Sequence, residues 1–271
     1  MIKLPISAII VGYNEASLLP ECLSSLWFCN EILYADLNST DSSINIALEY
    51  TDKIFNRSLA PSGEYIQSEI VHLTKNPWVI FIDPDEKIDE SLAYQIVEQF
   101  KIWVNSETVG AILVPWQFYF KKYKLKGTVW GAFNKKILLV NKHRFVFKPI
   151  THYGRHILPN FETEEIVFNG NSNVLHHYWM YSWTTFFRKH FRYLKREGID
   201  QYNQGRRFKG YLHLIKAPFH HFKSCFLINN GYRDGAIGLF LSLFWTFYQT
   251  YIEFNIYLLS KKLISRPFNE H

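Results

Sequence analysis

The sequence predicts an α/β protein with a mainly parallel sheet, followed by amphipathic helices at its C-terminal end. Over the first hundred residues, short apolar segments alternate with segments of helical periodicity. This alternation favours right-handed crossovers and therefore parallel pairing of the strands. Two segments beyond residue 180 repeat apolar side chains at helical spacing, which predicts the added helices.

The first predicted strand covers residues 6–11 and ends at a Gly-Tyr-Asn-Glu turn, residues 12–15. A helix follows, and Pro20 suits its first turn because a backbone N–H there would have no helical partner. The apolar side chains of this helix share one face and are Leu19, Cys22, Leu23 and Leu26.

Strands and helices then repeat. A second strand at residues 31–36 ends in Asp36, and the polar turn 37–41 leads into a helix at 42–50. The next predicted elements are a strand at 53–55, a helix at 64–73, and strands at 78–82, 110–115 and 137–140. Since the carboxyl ends of parallel strands meet at one edge, we expect Gly12, Asp36 and Asp83 to share that edge.

The strand at 78–82 is followed by an acidic turn, Asp83-Pro84-Asp85-Glu86. Pro84 lacks an N–H and biases Asp83 toward extended geometry, so the strand ends there. Ligands of open α/β sheets bind beyond the carboxyl ends of the strands, where these carboxylates are expected. Two carboxylates so placed suit Mg²⁺ or Mn²⁺ holding a diphosphate. The alternative is a solvated turn that caps the next helix.

Composition indicates a globular chain with an acidic and a basic part. Hydrophobic residues make up 48% of the 271 residues, which excludes a disordered chain. Residues 1–100 carry 5 Lys+Arg and 15 Asp+Glu, whereas residues 101–271 carry 25 and 9, which suits an anionic surface. Three cysteines without paired spacing, and an N-terminus unlike a secretory signal, predict a reducing, cytoplasmic setting.

Three motifs, in order along the chain, resemble the inverting family 2 glycosyltransferases. They lie at residues 7–15, 36–41 and 78–86. The resemblance implies a nucleotide-diphospho-sugar-transferase-like, Rossmann-like domain. In that family the first strand and the aspartate after the second strand hold the nucleotide.

The resemblance also implies roles for individual residues. The substrate-binding residues would be Tyr13, Glu15, Asp36 and Asp83. Asp36 would bind the base, since a carboxylate accepts the imide N–H of uracil, and Asp83 would approach the ribose and diphosphate. Asp85, with Asp83, would hold the divalent metal. A turn carboxylate that caps the following helix is the alternative for Asp36.

Similarity to one bacterial branch, the lipopolysaccharide-core glucosyltransferases, extends to residues 175–193 and 217–239. It implies transfer of a sugar from a nucleotide-sugar donor, UDP-linked, to a lipid-linked or phosphorylated glycan of lipopolysaccharide type. The expected domains are a catalytic domain at 1–180, with a nucleotide-binding half at 1–100 and an acceptor half at 101–180, and a membrane-associating extension at 181–271.

The proton acceptor for such a transfer is not fixed by a motif. That branch shows a His-Glu pair after the central sheet, whereas the nearest match here places isoleucine after His156. The candidates are His152, His156, Glu162, Glu164 and Glu165. Of these, His156 and Glu162 are assigned as catalytic with Asp85, and a solvated loop is the alternative for the glutamates. Zinc at the two histidines is disfavoured because Gly154 disfavours a helix.

Two other functions remain open at this stage. A nucleotidyltransferase could use the same aspartates, but no Gly-rich basic phosphate loop follows the first strand. A membrane-bound scaffold with a decayed site is the non-enzymatic alternative. Aromatic and lysine side chains interleave at residues 118–130, which suits a glycan acceptor. Nucleic acid is not an expected partner, because no nucleic-acid-binding motif accompanies them.

Two C-terminal segments predict peripheral binding to an anionic membrane surface, at the inner face of the cytoplasmic membrane. The spacing at residues 182–196 predicts a basic amphipathic helix. Such a helix can lie in the headgroup region, or it can pack its apolar face on the domain and expose its charge to solvent. Residues 236–259 are long enough to cross a bilayer, but a polar stripe that includes Glu253 argues against a simple lipid-exposed span. An interfacial helix, or one that pairs its stripe with protein, is favoured over a span, and a core helix is the alternative.

Overall fold

A computed structural model describes residues 3–60, 62–132, 134–149, 154–168 and 172–264. The chain divides into two compact units. The first unit comprises residues 1–118 and 134–179 and contains the main sheet. The second comprises residues 119–133 and 180–271 and is mainly helical. The segment 119–133 therefore groups with the C-terminal helices.

The strands are β1 (Leu4–Gly12), β2 (Cys29–Asp36), β3 (Ile54–Asn56), β4 (Trp78–Phe81), β5 (Glu86–Ile88), β6 (Val109–Phe120), β7 (Tyr123–Lys124), β8 (Asn134–Asn141), β9 (Phe145–Phe147), β10 (Arg155–Ile157), β11 (Glu162–Glu165) and β12 (Leu175–Met180). The α-helices are α1 (Leu19–Ser24), α2 (Ser43–Leu48), α3 (Gly63–Ile70), α4 (Glu90–Asn105), α5 (Thr128–Gly131), α6 (Trp183–Asn203), α7 (Tyr211–Phe222) and α8 (Gly235–Ser260). A π-helical turn, Lys223–Ile228, follows α7.

The main sheet has the strand order β3-β2-β1-β4-β8-β6-β12-β5. Strand β1 pairs in parallel with β2 and β4, and β2 pairs in parallel with β3. Strand β8 runs antiparallel to β4 and β6, while β11 pairs in parallel with β6. The predicted α/β class, with a mainly parallel mixed sheet and C-terminal helices, is confirmed.

Strand register brings the predicted loops to one edge. Gly12, the last residue of β1, lies opposite Asp36, the last residue of β2. On the other side of β1, Ile9 lies opposite Phe81 at the end of β4. Because these strands are parallel, the loops that follow all three leave the sheet at the same edge.

Both faces of β1 are buried, which explains its continuous apolar sequence. Ile6, Ala8 and Ile10 belong to one core cluster, and Ile9 and Val11 belong to a second cluster across the sheet. A strand covered on both faces cannot slip by one residue without exchanging its two sets of side chains. The register at the site edge is therefore firmly set.

Helix α4 packs on the first of these clusters and is the helix that follows the acidic turn. Its buried side chains Leu92, Ile96 and Phe100 recur at helical spacing. The helix begins at a cap, because the carboxylate of Asp89 accepts a hydrogen bond from the backbone N–H of Leu92 at 2.7 Å. The acidic turn therefore does not cap this helix; a separate aspartate does.

A buried carboxylate, Glu31, fixes the opposite edge of the sheet. Its oxygens accept hydrogen bonds from the Ser7 hydroxyl, the Lys53 ammonium and, at 2.8 Å, the backbone N–H of Lys75. Burial alone would raise the pKa of Glu31, but these donors outweigh burial and lower it below its ordinary value of 4.5. The charged carboxylate thus ties β1 and β2 to the segment that leads into β4.

We expect Glu31→Gln to lower the free energy of unfolding by about 1–3 kcal/mol at pH 7, because buried donors lose a charged acceptor. A carboxyl group whose pKa is lower in the folded chain stabilises it above the unfolded pKa, and this contribution is lost as the pH falls through the folded pKa. The difference in the free energy of unfolding between the unaltered chain and Glu31→Gln should therefore shrink as the pH falls below 4.5. Urea denaturation at several pH values measures it.

The control is Glu49→Gln, which alters an exposed carboxylate at the end of α2. It should change the free energy of unfolding by less than about 0.5 kcal/mol at either pH. An equal loss for both variants, or a pH-independent loss for Glu31→Gln, would contradict the role given to this cluster.

The C-terminal unit places the polar stripe of α8 toward protein. Ser242 and Glu253 are buried. The Glu253 carboxylate accepts a hydrogen bond from Arg206, and His213 Nε2 lies 3.3 Å from the same oxygen. The exposed side of α8 is apolar instead, and its side chains include Leu239, Leu243, Phe247, Tyr251 and Phe254. Within the described ranges, no helix is both long and apolar enough to span a membrane.

Candidate active site

The loops after β1 and β2 are joined by reciprocal hydrogen bonds. The backbone N–H of Asn14 donates to the Ser39 hydroxyl at 2.9 Å, and the Asn14 side-chain oxygen accepts from the backbone N–H of Thr40 at 2.7 Å. Asn14 and Asn38 both adopt positive φ, 55° and 62°, which asparagine tolerates better than most residues. The two predicted substrate-binding loops therefore form one structure.

Asp36 is fully buried at the base of these loops. One carboxylate oxygen accepts a hydrogen bond from the backbone N–H of Ser39 at 2.8 Å, and the other lies 3.4 Å from the Tyr34 hydroxyl. Gly12 is required beside it, because a Cβ at this position would meet the Tyr34 hydroxyl at 2.6 Å. In this structure the Asp36 carboxylate shapes the turn after β2.

Two further predicted substrate-binding residues lie in the loop after β1. Tyr13 is exposed at 38%, and the backbone N–H of Glu15 donates to the Ser43 hydroxyl at 3.0 Å. The neighbouring Asp41 accepts from the backbone N–H of Ala16 and of Ser43. Asp41 thus binds the loop to the start of α2, and Tyr13 presents its ring to solvent at the same edge.

The acidic turn surrounds a buried cation that the sequence did not reveal. Lys136 Nζ lies 2.5 Å from Glu86 Oε2 and 3.2 Å from Asp83 Oδ2. The Lys136 and Glu86 side chains are 10% and 0% exposed, whereas that of Asp83 is 43% exposed. Glu86 also accepts from the backbone N–H of Asp83 at 2.8 Å. Lys136 and Glu86 therefore hold the turn on its buried side, and Asp83 lies on its solvent-exposed side.

Lys136 remains charged in this setting. Burial lowers the pKa of its ammonium group, but the nearby carboxylates of Asp83 and Glu86 raise it and prevail, so the pKa lies above its ordinary value. The charge satisfies a carboxylate that would be costly to bury alone. Strand β8 carries this lysine, and its antiparallel register places residue 136 beside the end of β4.

Asp85 lies against the imidazole of a strand β12 residue, His177. His177 Nε2 is 3.4 Å from Asp85 Oδ1, and both side chains are nearly buried. The imidazole stacks on Trp116, with ring centroids 5.0 Å apart and planes 4° from parallel. Pairing of β12 with β5 sets this contact, because His177 lies opposite Glu86 in the register.

A buried thiol lies beneath the turn. Cys22, on α1, has its Sγ 3.4 Å from the backbone oxygen of Asp83. Burial, together with the negative field of Glu86 and Asp83, raises the pKa of the Cys22 thiol well above its ordinary value. The thiol is neutral and serves as packing and as a weak donor to the turn.

The structure does not bring Glu162 to this site. Glu162 begins β11 and lies opposite Val109, at the start of β6, which is the edge of the sheet away from the acidic turn. Its carboxylate accepts a hydrogen bond from the Thr108 hydroxyl. Glu164 and Glu165 are engaged with Trp103 and Lys135. The segment 162–165 is a paired strand rather than the solvated loop considered from the sequence.

His156 lies in the hairpin formed by β9 and β10, opposite Val146. Its side chain is exposed, while the adjacent Arg155 lies over the Phe81 ring with its guanidinium carbon 5.1 Å from the centroid. Successive residues of a strand point to opposite faces, so Arg155, rather than His156, is directed toward the end of β4. His152, the other histidine considered as a proton acceptor, lies outside the described residues.

The acidic turn fits a cation that is shared with a ligand. Asp83 and Asp85 supply carboxylate oxygens, and the buried Nδ1 of His177 makes no hydrogen bond within the described part of the chain. Across all the residues that the structure describes, no group of three His, Cys, Asp or Glu side chains is placed to hold a metal without a further ligand. Mg²⁺ typically binds one or two carboxylates plus substrate phosphates, which this donor set can provide.

Fold and site together define an α/β protein with carboxylates at the edge where its parallel strands end. No model of a known protein family matches the chain. A lipopolysaccharide core biosynthesis glycosyltransferase, LpsC of Rhizobium meliloti (strain 1021), is 32% identical over 112 residues. The match covers 40% of this chain and 41% of that protein, so the chain spans about two fifths of the length of the curated relative.

Solved structures give weaker similarity. Glucosyl-3-phosphoglycerate synthase from Mycobacterium tuberculosis, in complex with Mg²⁺ and UDP, is 16% identical with a TM-score of 0.33, covering 43% of each chain. The complex of that enzyme with Mn²⁺ and UDP-glucose is also 16% identical with a TM-score of 0.33, covering 42% of this chain and 43% of that chain.

We expect Lys136→Met to lower the free energy of unfolding by about 3–5 kcal/mol, because Glu86 would be left buried without its counter-ion. The matched control is Lys135→Met on the same strand. Lys135 is 34% exposed and pairs with Glu165, which is also partly exposed, so its loss should cost less than about 1 kcal/mol. Chemical denaturation at pH 7 compares them, and equal losses would contradict the role of Lys136.

Proposed function

We propose that the protein is a metal-dependent inverting glycosyltransferase. In this proposal it transfers a sugar from a UDP-linked donor to a lipid-linked or phosphorylated glycan of lipopolysaccharide type. The observation that carries the proposal is the convergence of Asp36, Asp83 and Asp85 at the carboxyl edge of parallel strands. The 32% identity to a lipopolysaccharide core glycosyltransferase, although it covers two fifths of each chain, supports the same class of reaction.

The donor is proposed to bind across the joined loops. Tyr13 offers an exposed aromatic ring for stacking. Asp36 is fully buried, so the joined loops would have to part before its carboxylate accepts the imide N–H of the base. Asp83, at the open side of the acidic turn, would approach the ribose and diphosphate. The fixed register of β1, β2 and β4 would hold these groups at set distances, which favours a single donor orientation.

Asp85 and Asp83 are the proposed metal-binding residues, with His177 beside them. A bound Mg²⁺ or Mn²⁺ would neutralise the charge that develops on the departing diphosphate. Lys136 keeps Asp83 in place before any donor arrives, and Arg155 adds a second positive charge near the end of β4. Stacking on Trp116 restrains the imidazole of His177, so its position relative to Asp85 would not depend on the donor.

An inverting transfer also needs a group that accepts the proton of the attacking hydroxyl. Glu86 is unsuited to that task, because its side chain is fully buried and its charge is neutralised by Lys136. Glu162 lies at the other edge of the sheet and is not proposed for it. The group that accepts this proton must therefore lie on the side of the acidic turn where the nucleotide sugar is proposed to bind.

Peripheral association with the inner face of the cytoplasmic membrane forms part of the proposal. Residues 101–271 carry 25 Lys+Arg against 9 Asp+Glu. Helices of the C-terminal unit also present exposed apolar side chains, which include Trp183, Phe187 and Phe219. Positive charge combined with exposed aromatic groups suits an anionic lipid surface, where a lipid-linked acceptor would be found.

Incubation of the purified protein with UDP-, GDP- and dTDP-linked sugars and Mn²⁺ should give slow donor hydrolysis, because water can replace a missing acceptor. Hydrolysis should stop when EDTA removes the metal and should be fastest for a UDP-linked donor. Release of free nucleotide diphosphate provides the measurement. If all donors remain intact with metal present, the enzymatic proposal fails, and a decayed scaffold is favoured.

Asp85→Asn should weaken Mn²⁺-dependent binding of UDP by at least about tenfold, because a charged metal ligand is replaced by a neutral amide. Titration calorimetry with and without Mn²⁺ measures the effect. Glu90→Gln is the control, since Glu90 is exposed in the first turn of α4 and should leave binding unchanged. Undiminished metal-dependent binding by Asp85→Asn would remove Asp85 from the metal site.

A further inference from the structure

Helix α7 presents an apolar side to solvent. Phe219 is 78% exposed, Ile215 is 66% exposed and Leu212 is 64% exposed. These residues are separated by three and four positions, so they share one side of the helix. Ala217, on the other side, is buried. Monomeric proteins rarely leave a row of large apolar side chains open, so this side is suited to a partner.

The π-helical turn that follows α7 extends this exposed side. Leu227 and Ile228 lie within the turn and are more than half exposed, whereas Cys225 in the same turn is buried. One side of this segment, the lipid-facing side, consists of the exposed residues Leu212, Ile215, Lys216, Phe219, Lys223 and Leu227.

The charge of this segment is entirely positive. Residues 205–233 contain six Lys and Arg and no Asp or Glu. Lys216 and Lys223 are exposed and stand four and eleven residues after Leu212, which places them on the same side as the apolar row. A lysine stem can lie along an apolar surface while its ammonium group reaches an anionic headgroup.

The opposite side of α7 is fixed within the C-terminal unit. His213, near the start of the helix, lies 3.3 Å from the buried carboxylate of Glu253 on α8. Arg206, just before α7, donates to the same carboxylate. The Tyr211 ring packs on Tyr257 of α8, with centroids 5.7 Å apart. These contacts hold α7 in one orientation, so its apolar row stays outward.

We infer that the lipid-facing side of α7 and its π-helical turn docks on an anionic phospholipid bilayer. An amphipathic helix with large apolar groups and lysines binds in the headgroup region, and each cation near an anionic surface adds to the affinity. A second copy of the chain suits this side poorly, because a symmetric contact would bring two sets of lysines together and residues 205–233 offer no carboxylate to pair with them. The inference deepens the proposed function by naming the surface that meets the membrane.

The exposed side of α8 provides a contrast. Leu243 and Phe247 are also large apolar side chains that are more than half exposed, at 55% and 51%. However, α8 contains no lysine or arginine between Gly235 and Ser260. Its apolar row lacks the charge that an anionic bilayer would select, and it serves as the matched control.

The test is sedimentation of the full chain with vesicles of phosphatidylcholine that contain 30% phosphatidylglycerol, a composition of about one anionic lipid in three chosen to supply surface charge. The variants are a triple change, Leu212→Ser with Ile215→Ser and Phe219→Ser, and a double change, Lys216→Gln with Lys223→Gln. The control is Leu243→Ser with Phe247→Ser. Thermal unfolding checks that each variant folds, which is expected because the altered side chains are exposed.

The triple variant should bind the vesicles at least about a hundredfold more weakly, since three large apolar groups no longer enter the headgroup region. The double variant should bind about thirtyfold more weakly, and added salt should reduce that difference. The control should bind within about threefold of the unaltered chain. Vesicles of phosphatidylcholine alone should bind the unaltered chain and the double variant equally.

Three results would overturn the inference. The triple variant could bind as well as the unaltered chain, or only the α8 control could lose binding. Alternatively, sedimentation velocity could show that the triple change dissolves a dimer while vesicle binding persists, which would make this side a contact between copies. Donor hydrolysis is measured in parallel. Vesicle binding without hydrolysis by the unaltered chain would refute the proposed function and leave the docking surface standing.

Discussion

The parallel pairing of β1 with β2 and β4 is the constraint on which the site depends. It makes three loops leave the sheet at one edge, so Gly12, Asp36 and the acidic turn become neighbours although they are distant in sequence. Burial of both sheet faces prevents a change of register. The loops can therefore vary in sequence while the positions from which they start remain fixed.

Charge balance behind the acidic turn is the second requirement. Three acidic residues within four positions repel one another, and one of them, Glu86, is fully buried. Lys136 neutralises this group from the adjacent antiparallel strand and also contacts Asp83. The turn thus combines a compensated inner carboxylate with an outer one that remains accessible. This division lets a single tetrapeptide stabilise the fold through Glu86 while it keeps the Asp83 carboxylate open to solvent.

Local patterns were sufficient to predict β1 to β4, the edge at which the loops after β1, β2 and β4 meet, and the C-terminal helices. The contacts of Lys136 and His177 were not predictable, because strands β8 and β12 reach the turn by pairings that no local pattern encodes. The strand at Glu162 was missed since its sequence is charged, and charged residues seldom indicate a paired strand. For α8 the polar stripe was identified, but only the fold reveals that Glu253 faces Arg206.

The thiol of Cys22 gives the acidic turn a further property. All three cysteines of the chain are buried, and burial keeps the pKa of each thiol above its ordinary value. A thiol reacts as its thiolate, so the folded chain is poorly reactive toward alkylating reagents at neutral pH. Cys22 is expected to become reactive when the turn above it separates from α1. Alkylation of Cys22, which lies beneath the acidic turn, would therefore report whether that edge of the sheet has opened.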